Sequence, residues 1–149
     1  MTGNDLDLIR RIGAASRWLA VVATTRLDGS VHASLVNAGV LDDPVTGETA
    51  IGVVVRGDAR KLAHFRRSGR AAATFHHGWE WASVEGPVRI AGPDDPLEGL
   101  ASEAIPGLLR EVFRAAGGVH DDWDEYDRVM AGERRTAVLI HPARFVTNS

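Results

Sequence analysis

Apolar positions change period along the chain, and the changes mark out its elements. Leu6, Ile9 and Ile12 recur every three residues with Leu8 beside them, which predicts a short amphipathic N-terminal helix. Asn4 or Asp5 stands where a cap belongs, and Gly13 weakens the pattern. Trp18 to Thr25 is apolar and β-favouring. Asp28-Gly29 follows as a turn pair tolerant of positive φ, and Val31 to Leu41 reads as the returning strand of a hairpin. Asp42 to Glu48, with Asp-Asp-Pro and Thr-Gly, predicts a loop before a strand over Thr49 to Val55. Asp58 is placed to cap a helix through Arg67, with Leu62 and Phe65 inward and Ser68-Gly69 as its stop. Arg70 to His76 and Trp79 to Ala91 read as two strands joined by a turn at His77-Gly78, the second interrupted at Gly86-Pro87.

The pattern then turns helical. Asp95, Pro96 and Glu98 have the spacing of a cap, a first-turn proline and a capping-box partner. Pro106 opens a helix with Leu109, Val112, Phe113 and Ala116 inward, ended by Gly117-Gly118. Asp122 and Glu125 repeat the capping-box spacing before a helix lined by Trp123, Tyr126, Val129 and Met130, which Gly132 ends. Arg134 to Thr147 is a last strand, with Pro142 at an edge or bend. Six strands, few helices and an early hairpin predict one mainly β domain over residues 1–149, a small antiparallel barrel rather than a doubly wound sheet. No strand runs into a glycine-rich loop of the nucleotide-binding βαβ type.

Length and composition narrow the function classes. The 149 residues suffice for one hydrophobic core. A net charge of −3 argues against a nucleic-acid partner. The absence of cysteine excludes disulfides, thiolate catalysis and cysteine-ligated metals. No apolar run approaches the ~20 residues that span a bilayer. The polar, acidic N-terminus lacks a signal-peptide pattern, so a cytoplasmic protein with no membrane partner is expected.

Three places carry candidate chemistry. Arg56-Gly57-Asp58-Ala59-Arg60-Lys61 leaves a strand, turns at a glycine and enters a helix. Helix-start N–H groups, the Lys61 ammonium and forked donors from Arg56 or Arg60 make what a phosphate needs. The same residues also fit a solvated basic helix in a chain whose 17 basic residues are all arginine except Lys61. His32 and Ser34 alternate and share one face of the second strand, where they can hydrogen-bond a ring edge or simply meet solvent. Trp79 and Trp81 share a face and can stack on a planar cofactor or fill an interface. His76-His77 face opposite ways in a strand, so no metal site is expected. No Gly-x-Ser-x-Gly motif supplies a nucleophile, and capping explains the acidic run Asp121 to Glu125. An anion cradle with little acid–base machinery fits a protein whose cofactor does the chemistry, and no catalytic residue is assigned.

In three ordered stretches the chain resembles the pyridoxamine 5′-phosphate oxidase-like split β-barrels, and within them the actinobacterial F420-dependent deazaflavin/flavin oxidoreductases of the B group. The first is Leu19 to Thr24 with Asp28-Gly29 and His32-Ala33-Ser34. The second is Arg60-Lys61, then Phe65 to Arg70, Gly78-Trp79 and Glu85-Gly86. The third is His120 to Tyr126 with Met130 and Arg134-Arg135. The resemblance implies a six-stranded split barrel and a homodimer with two cofactor sites between subunits. It implies coenzyme F420, or alternatively FMN, and hydride transfer with a planar conjugated small molecule. It places Lys61 on the family's phosphate-binding lysine, Ser34 facing the ring, and Trp79 on an aromatic position near the cofactor. Relatives often carry proline at Val31, a polar residue at Leu35, asparagine at His64 and basic residues at Leu62 and Ala63. A non-catalytic cofactor carrier is the reading from a different class.

Overall fold

The computed structural model describes residues 2–149. Helix α1 (Gly3–Ala15) precedes strands β1 (Leu19–Thr25), β2 (Val31–Asn37), β3 (Gly39–Asp42) and β4 (Thr49–Val55). Helix α2 (Arg60–Ser68) leads to β5 (Arg70–His77) and β6 (Glu80–Ala91). A 3-10 turn (Ser102–Ala104), α3 (Ile105–Ala115), α4 (Trp123–Gly132), β7 (Thr136–Ile140) and β8 (Arg144–Thr147) complete the chain. Two of the six expected strands each break in two. The Val31–Leu41 strand is interrupted at Ala38, whose N–H donates to the Trp18 carbonyl at 2.9 Å. The last strand turns at 141–143, at the expected Pro142.

All pairings are antiparallel, in the order β2-β1-β5-β6-β7-β4-β3, with β8 also on β6. The outermost strands, β2 and β3, are joined through Ala38 alone yet do not pair, so the sheet curls into an open barrel. Strand β6 makes this possible by serving two sheets. Glu80 to Pro87 pair with β5, and Val88 to Ala91 pair with β7. At the changeover a Cβ on Gly86 would sit 1.8 Å from the His141 carbonyl oxygen. Hydrogen bonds from the N–H of His141 to Pro87 O (2.9 Å) and of Ala143 to Glu85 O (2.8 Å) fix that close approach.

The core lies in two layers. Inside the barrel Phe75, Val84, Val138 and Ile140 meet Leu62 and Phe65 of α2 and Ile9 and Ile12 of α1. On the other side of β4 and β7, Ala137 and Leu139 meet Leu108, Leu109 and Val112 of α3 and Tyr126 of α4. Strand β7 is therefore buried on both faces and reads as a continuous apolar run.

Several helix boundaries differ from the sequence expectation. Thr2 caps α1, in a reciprocal pair with Asp5, because its hydroxyl reaches the Asp5 N–H (3.2 Å). Gly13 lies within α1, where the Trp18 ring packs so close that a Cβ would meet it at 2.6 Å. Asp58 does not cap α2. The cap residue is Ala59, with no side-chain bond, and the Asp58 carboxylate instead takes Arg56 Nε (3.2 Å). Asp95 to Glu98 form no helix. Asp95 bridges Gly92 and its carboxylate is gripped by Arg66 at 2.6 Å, which removes it as a cap. Asp122 does cap α4, accepting from the Glu125 N–H at 3.1 Å.

The β3–β4 loop is clamped by a buried carboxylate. Asp43 accepts the N–H groups of Val45 (2.8 Å) and Thr46 (3.2 Å), Arg89 Nε (2.7 Å) and a contact from His141 Nε2 (2.9 Å). Burial alone would raise its pKa. The donors on Val45, His141, Thr46 and Arg89 outweigh that and hold it at about 2. A carboxylate depressed in the folded state stabilises above its ordinary range near 4, and that stability is lost as pH falls through about 2.

Two outcomes follow from this architecture. Asp43→Asn should cost about 2 kcal/mol at neutral pH, and wild type and variant should converge in denaturant melts as the pH is lowered toward 2. Gly86→Ala should cost about 3 kcal/mol, because the new methyl meets backbone rather than a movable side chain; a variant with unchanged urea midpoint would contradict that.

Candidate functional site

The site grows from the β1–β2 hairpin and the helix beside it. In β2 the residues alternate, and Ser34 pairs with Val22, His32 with Thr24 and Val36 with Ala20. Those β1 partners are buried, so His32, Ser34 and Val36 point to the same inner side. Because β2 is the outermost strand of the order, they are half-buried there rather than covered. Helix α2 packs on β1 and β5 through Leu62 and Phe65, which carries Lys61 and His64 to the rim of the same face.

Lys61 Nζ donates to Ser34 Oγ at 3.4 Å. The ammonium is half-buried and makes no ion pair among the described residues. Burial pushes its pKa below the ordinary lysine value, and the charge of Arg135 pushes it further the same way. Arg135 enters at the start of β7. Its Nε donates to Glu133 at 2.9 Å, while its two terminal nitrogens have no hydrogen bond among the described residues. His32 and His64 stand with ring centroids 5.6 Å apart, and Arg26 Nη2 lies 3.5 Å from His32 Nδ1.

The residues singled out by sequence therefore separate. Lys61, Ser34 and His32 come together. Arg60, in the first turn of α2, is exposed and makes no ion pair among the described residues. Arg56 is already engaged by Asp58 (3.2 Å) and Glu133 (3.5 Å). Trp79 stands at the tip of the β5–β6 hairpin, 94% exposed, held only through its carbonyl by Asn148. Within one chain it is not adjacent to Lys61, and Trp81 alone of the pair lies within the strand. Sequence reasoning gave no role to Arg135, His64 or Arg26. Arg135 had a weak signal, the Arg134-Arg135 pair between a helix and the last strand; Arg134 binds Asp94, while Arg135 pairs with Glu133 through Nε alone and lines the cleft beside Val36 and Val54.

Two clefts meet at Arg135 and Met130. One runs from Val36 and Asn37 of β2 across Val54 to Phe113 and Tyr126. The other lies between the loop over 92–106 and the helices, lined by Pro96, Leu100, Ile105 and Leu109. Behind them Tyr126 donates to the Leu109 carbonyl (3.1 Å), and Arg114 stacks 4.4 Å from the Trp123 ring, fixing α4 against α3. The combination is an apolar slot with a cationic rim, able to hold a flat ring by its faces and an acidic substituent by its end. No group of three or more metal-ligating side chains occurs among the described residues, and no described helix is long and apolar enough to cross a membrane.

No protein-family model matches the chain. Solved structures do resemble it. A pyridoxamine 5′-phosphate oxidase-related, FMN-binding protein from Nostoc punctiforme superposes with a TM-score of 0.68 at 11% identity, over 97% of this chain and 82% of that one. An F420 reductase gives 0.59 at 13% identity, over 90% and 94%. The heme storage protein HutZ from Vibrio cholerae gives 0.56 at 10% identity, over 97% and 92%. At such identities the likeness is one of fold, and the fold is the antiparallel, open split β-barrel of the pyridoxamine 5′-phosphate oxidase-like proteins.

Proposed function

We propose that the chain is a homodimeric oxidoreductase that holds a phosphate-bearing flavin-type cofactor, coenzyme F420 in first place and FMN in second, and works on a planar conjugated small molecule. The observation that carries this reading is Lys61. A half-buried ammonium hydrogen-bonded only to a serine, beside an Arg135 whose own carboxylate partner is Glu133, costs folding free energy unless an anion completes it. Lys61 Nζ, Ser34 Oγ and the terminal nitrogens of Arg135 would hold the phosphate, and the cleft past Val36 and Val54 would hold the ring. When bound, the reduced cofactor supplies the hydride. The chain's own residues orient the ring, exclude water and hold the phosphate.

F420 is preferred because its phosphodiester and carboxylate tail is longer than the single phosphate of FMN. Arg60 remains free to meet such a tail, whereas Arg56 is occupied by acidic neighbours. Exposed contacts of this kind are worth about 0–1 kcal/mol each and are screened by salt, so F420 should bind roughly ten- to a hundredfold tighter than FMN at low salt and by a smaller margin at high salt. Matched absorbance and fluorescence titrations decide it, and an FMN preference at low salt would promote FMN. Carriage without turnover is the second reading, favoured by the lack of a carboxylate beside Lys61 and by the likeness to a heme storage protein. Acceptor-dependent cofactor oxidation by the loaded protein separates the two.

Lys61→Met tests the anion role. Cofactor affinity should fall by about 1–3 kcal/mol, the scale of a lost charge-assisted hydrogen bond. The melting temperature should hold or rise, because a poorly solvated charge has been replaced by a side chain that suits its surroundings. Equal cofactor affinity would remove Lys61 from the site.

The dimer is argued from the opposite face of the same sheet. Leu35, Val21, Thr74, Ser83 and Val146 form one row across five strands. Leu35 is 62% exposed and Val146 57%, and Val31 beside them is 61% exposed. A second copy laid on this face would cover these exposed apolar side chains, the usual role of such a surface. Light scattering should give twice the 16.0 kDa chain mass, and Leu35→Glu should shift it to the monomer.

A further inference from the structure

The rim beyond Lys61 carries a second group of basic side chains that a single phosphate does not use. His32 lies two residues before Ser34 on the inner face of β2, and His64 one turn after Lys61 on α2. Their rings are 5.6 Å apart and tilted by 46°. Arg26 closes the far end, with Nη2 3.5 Å from His32 Nδ1 and Nη1 bonded to the Val31 carbonyl at 2.6 Å. The charged and titratable groups that act on the His32 ring are Arg26 from the hairpin and Lys61 and His64 from α2, with no carboxylate among them. The hairpin's one acid, Asp28, is turned back on its own loop, where it accepts from Ser30 N (2.9 Å) and Ser30 Oγ (2.6 Å). None of the four basic side chains makes an ion pair among the described residues.

We propose that Arg26, His32 and His64 form a second anion subsite beside Lys61 and Ser34, so that the site takes a ligand with two separated anionic groups and takes up a proton when the second is seated. The inference rests on the phosphate role of Lys61 and extends it. With no anion present, the His32 imidazole, between the Arg26 guanidinium and the Lys61 ammonium, favours the uncharged state. Burial lowers the His32 pKa, and Arg26, His64 and Lys61 each lower it further. Neutral His32 can accept from Arg26 through Nδ1, which protonation would forbid. A carboxylate or phosphate between the rings reverses the balance, because an opposite charge favours the protonated form. Binding of the second group therefore strengthens as pH falls, and binding of the first does not depend on it.

The test uses F420 with its glutamate tail as probe, titrated against the dimeric wild type and against His32→Gln, His64→Asn and His64→Lys. Comparing each variant with wild type at one pH cancels any titration of the ligand itself. At about pH 5.5 the two neutral variants should bind about tenfold more weakly than wild type, and at about pH 8 less than about threefold more weakly, as a one-unit shift in a histidine pKa requires. His64→Lys carries a fixed charge, so it should bind more tightly than wild type at the higher pH. Calorimetry in buffers of different ionisation enthalpy should show proton uptake by wild type and less by His32→Gln. Neutral variants that track wild type at both pH values, with Lys61→Met still impaired, would overturn the second subsite alone. Affinity that survives Lys61→Met, or no binding of either F420 or FMN, would overturn both readings.

Discussion

The architecture depends on one strand that has to belong to two sheets. β6 pairs with β5 along its first part and with β7 along its second, and the chain of the 141–143 turn crosses it at the changeover. Only glycine lets the His141 carbonyl lie against the strand at position 86. Pro87 follows, and its carbonyl accepts from the His141 N–H. From this bend the two halves of the barrel diverge: β5, β1 and β2 on one side, β7, β4 and β3 on the other. The gap left between β2 and β3 is the consequence, and it is there that half-buried polar side chains can exist at all. A closed barrel would have paired β2 and covered Ser34.

Electrostatics then distinguishes Lys61 from the many arginines. Arg66 is bound to Asp95, Arg110 to Asp127, Arg11 to Glu80 and Arg56 to Asp58 and Glu133. These pairs are mostly at the surface and contribute little individually. They do remove those arginines as ligands for anything else. What remains at the open edge is a lysine whose charge is poorly solvated, with Arg135, held by Glu133 through Nε alone, behind it and the imidazole pair ahead of it. A protein selected only for stability would not keep that arrangement, because an apolar residue of similar length fills the same place without the desolvation cost.

Much of this was legible in the sequence, and the misses have physical causes. Period-two patterning and the Asp28-Gly29 turn located the hairpin, and the glycine-proline pair in β6 marked the bend. Lys61, Ser34 and His32 were legible because strand alternation and a strand-turn-helix junction are local properties. Arg135 and His64 were not, because their meeting depends on how α2 and the chain entering β7 pack beside β2, which no spacing encodes; Arg26 reaches His32 within the hairpin itself. The Asp95 capping pattern failed for the same reason: a distant arginine took the carboxylate that local chemistry assigned to a helix. Arg56 had the right position for a phosphate donor, but two acids reached it first.

The two faces of β2 tie the remaining properties together. His32, Ser34 and Val36 look inward to the cationic rim, and Val31, Ala33 and Leu35 look outward to the exposed row. On the proposed reading, the same seven-residue strand therefore builds the ligand site with its even positions and the subunit interface with its odd ones. A slip of one residue would exchange the two sets, placing Leu35 against the cations and Ser34 in the apolar face, so both surfaces enforce one register. This also bears on the edge. β2 lies outermost in the order and shows unpaired backbone groups, a hazard for uncontrolled pairing. In the proposed dimer, a second copy laid on the outer face would also hold the hairpin that carries Arg26 and His32. On that reading, binding of an anion and association of subunits would act on one element, and each would favour the conformation that the other requires.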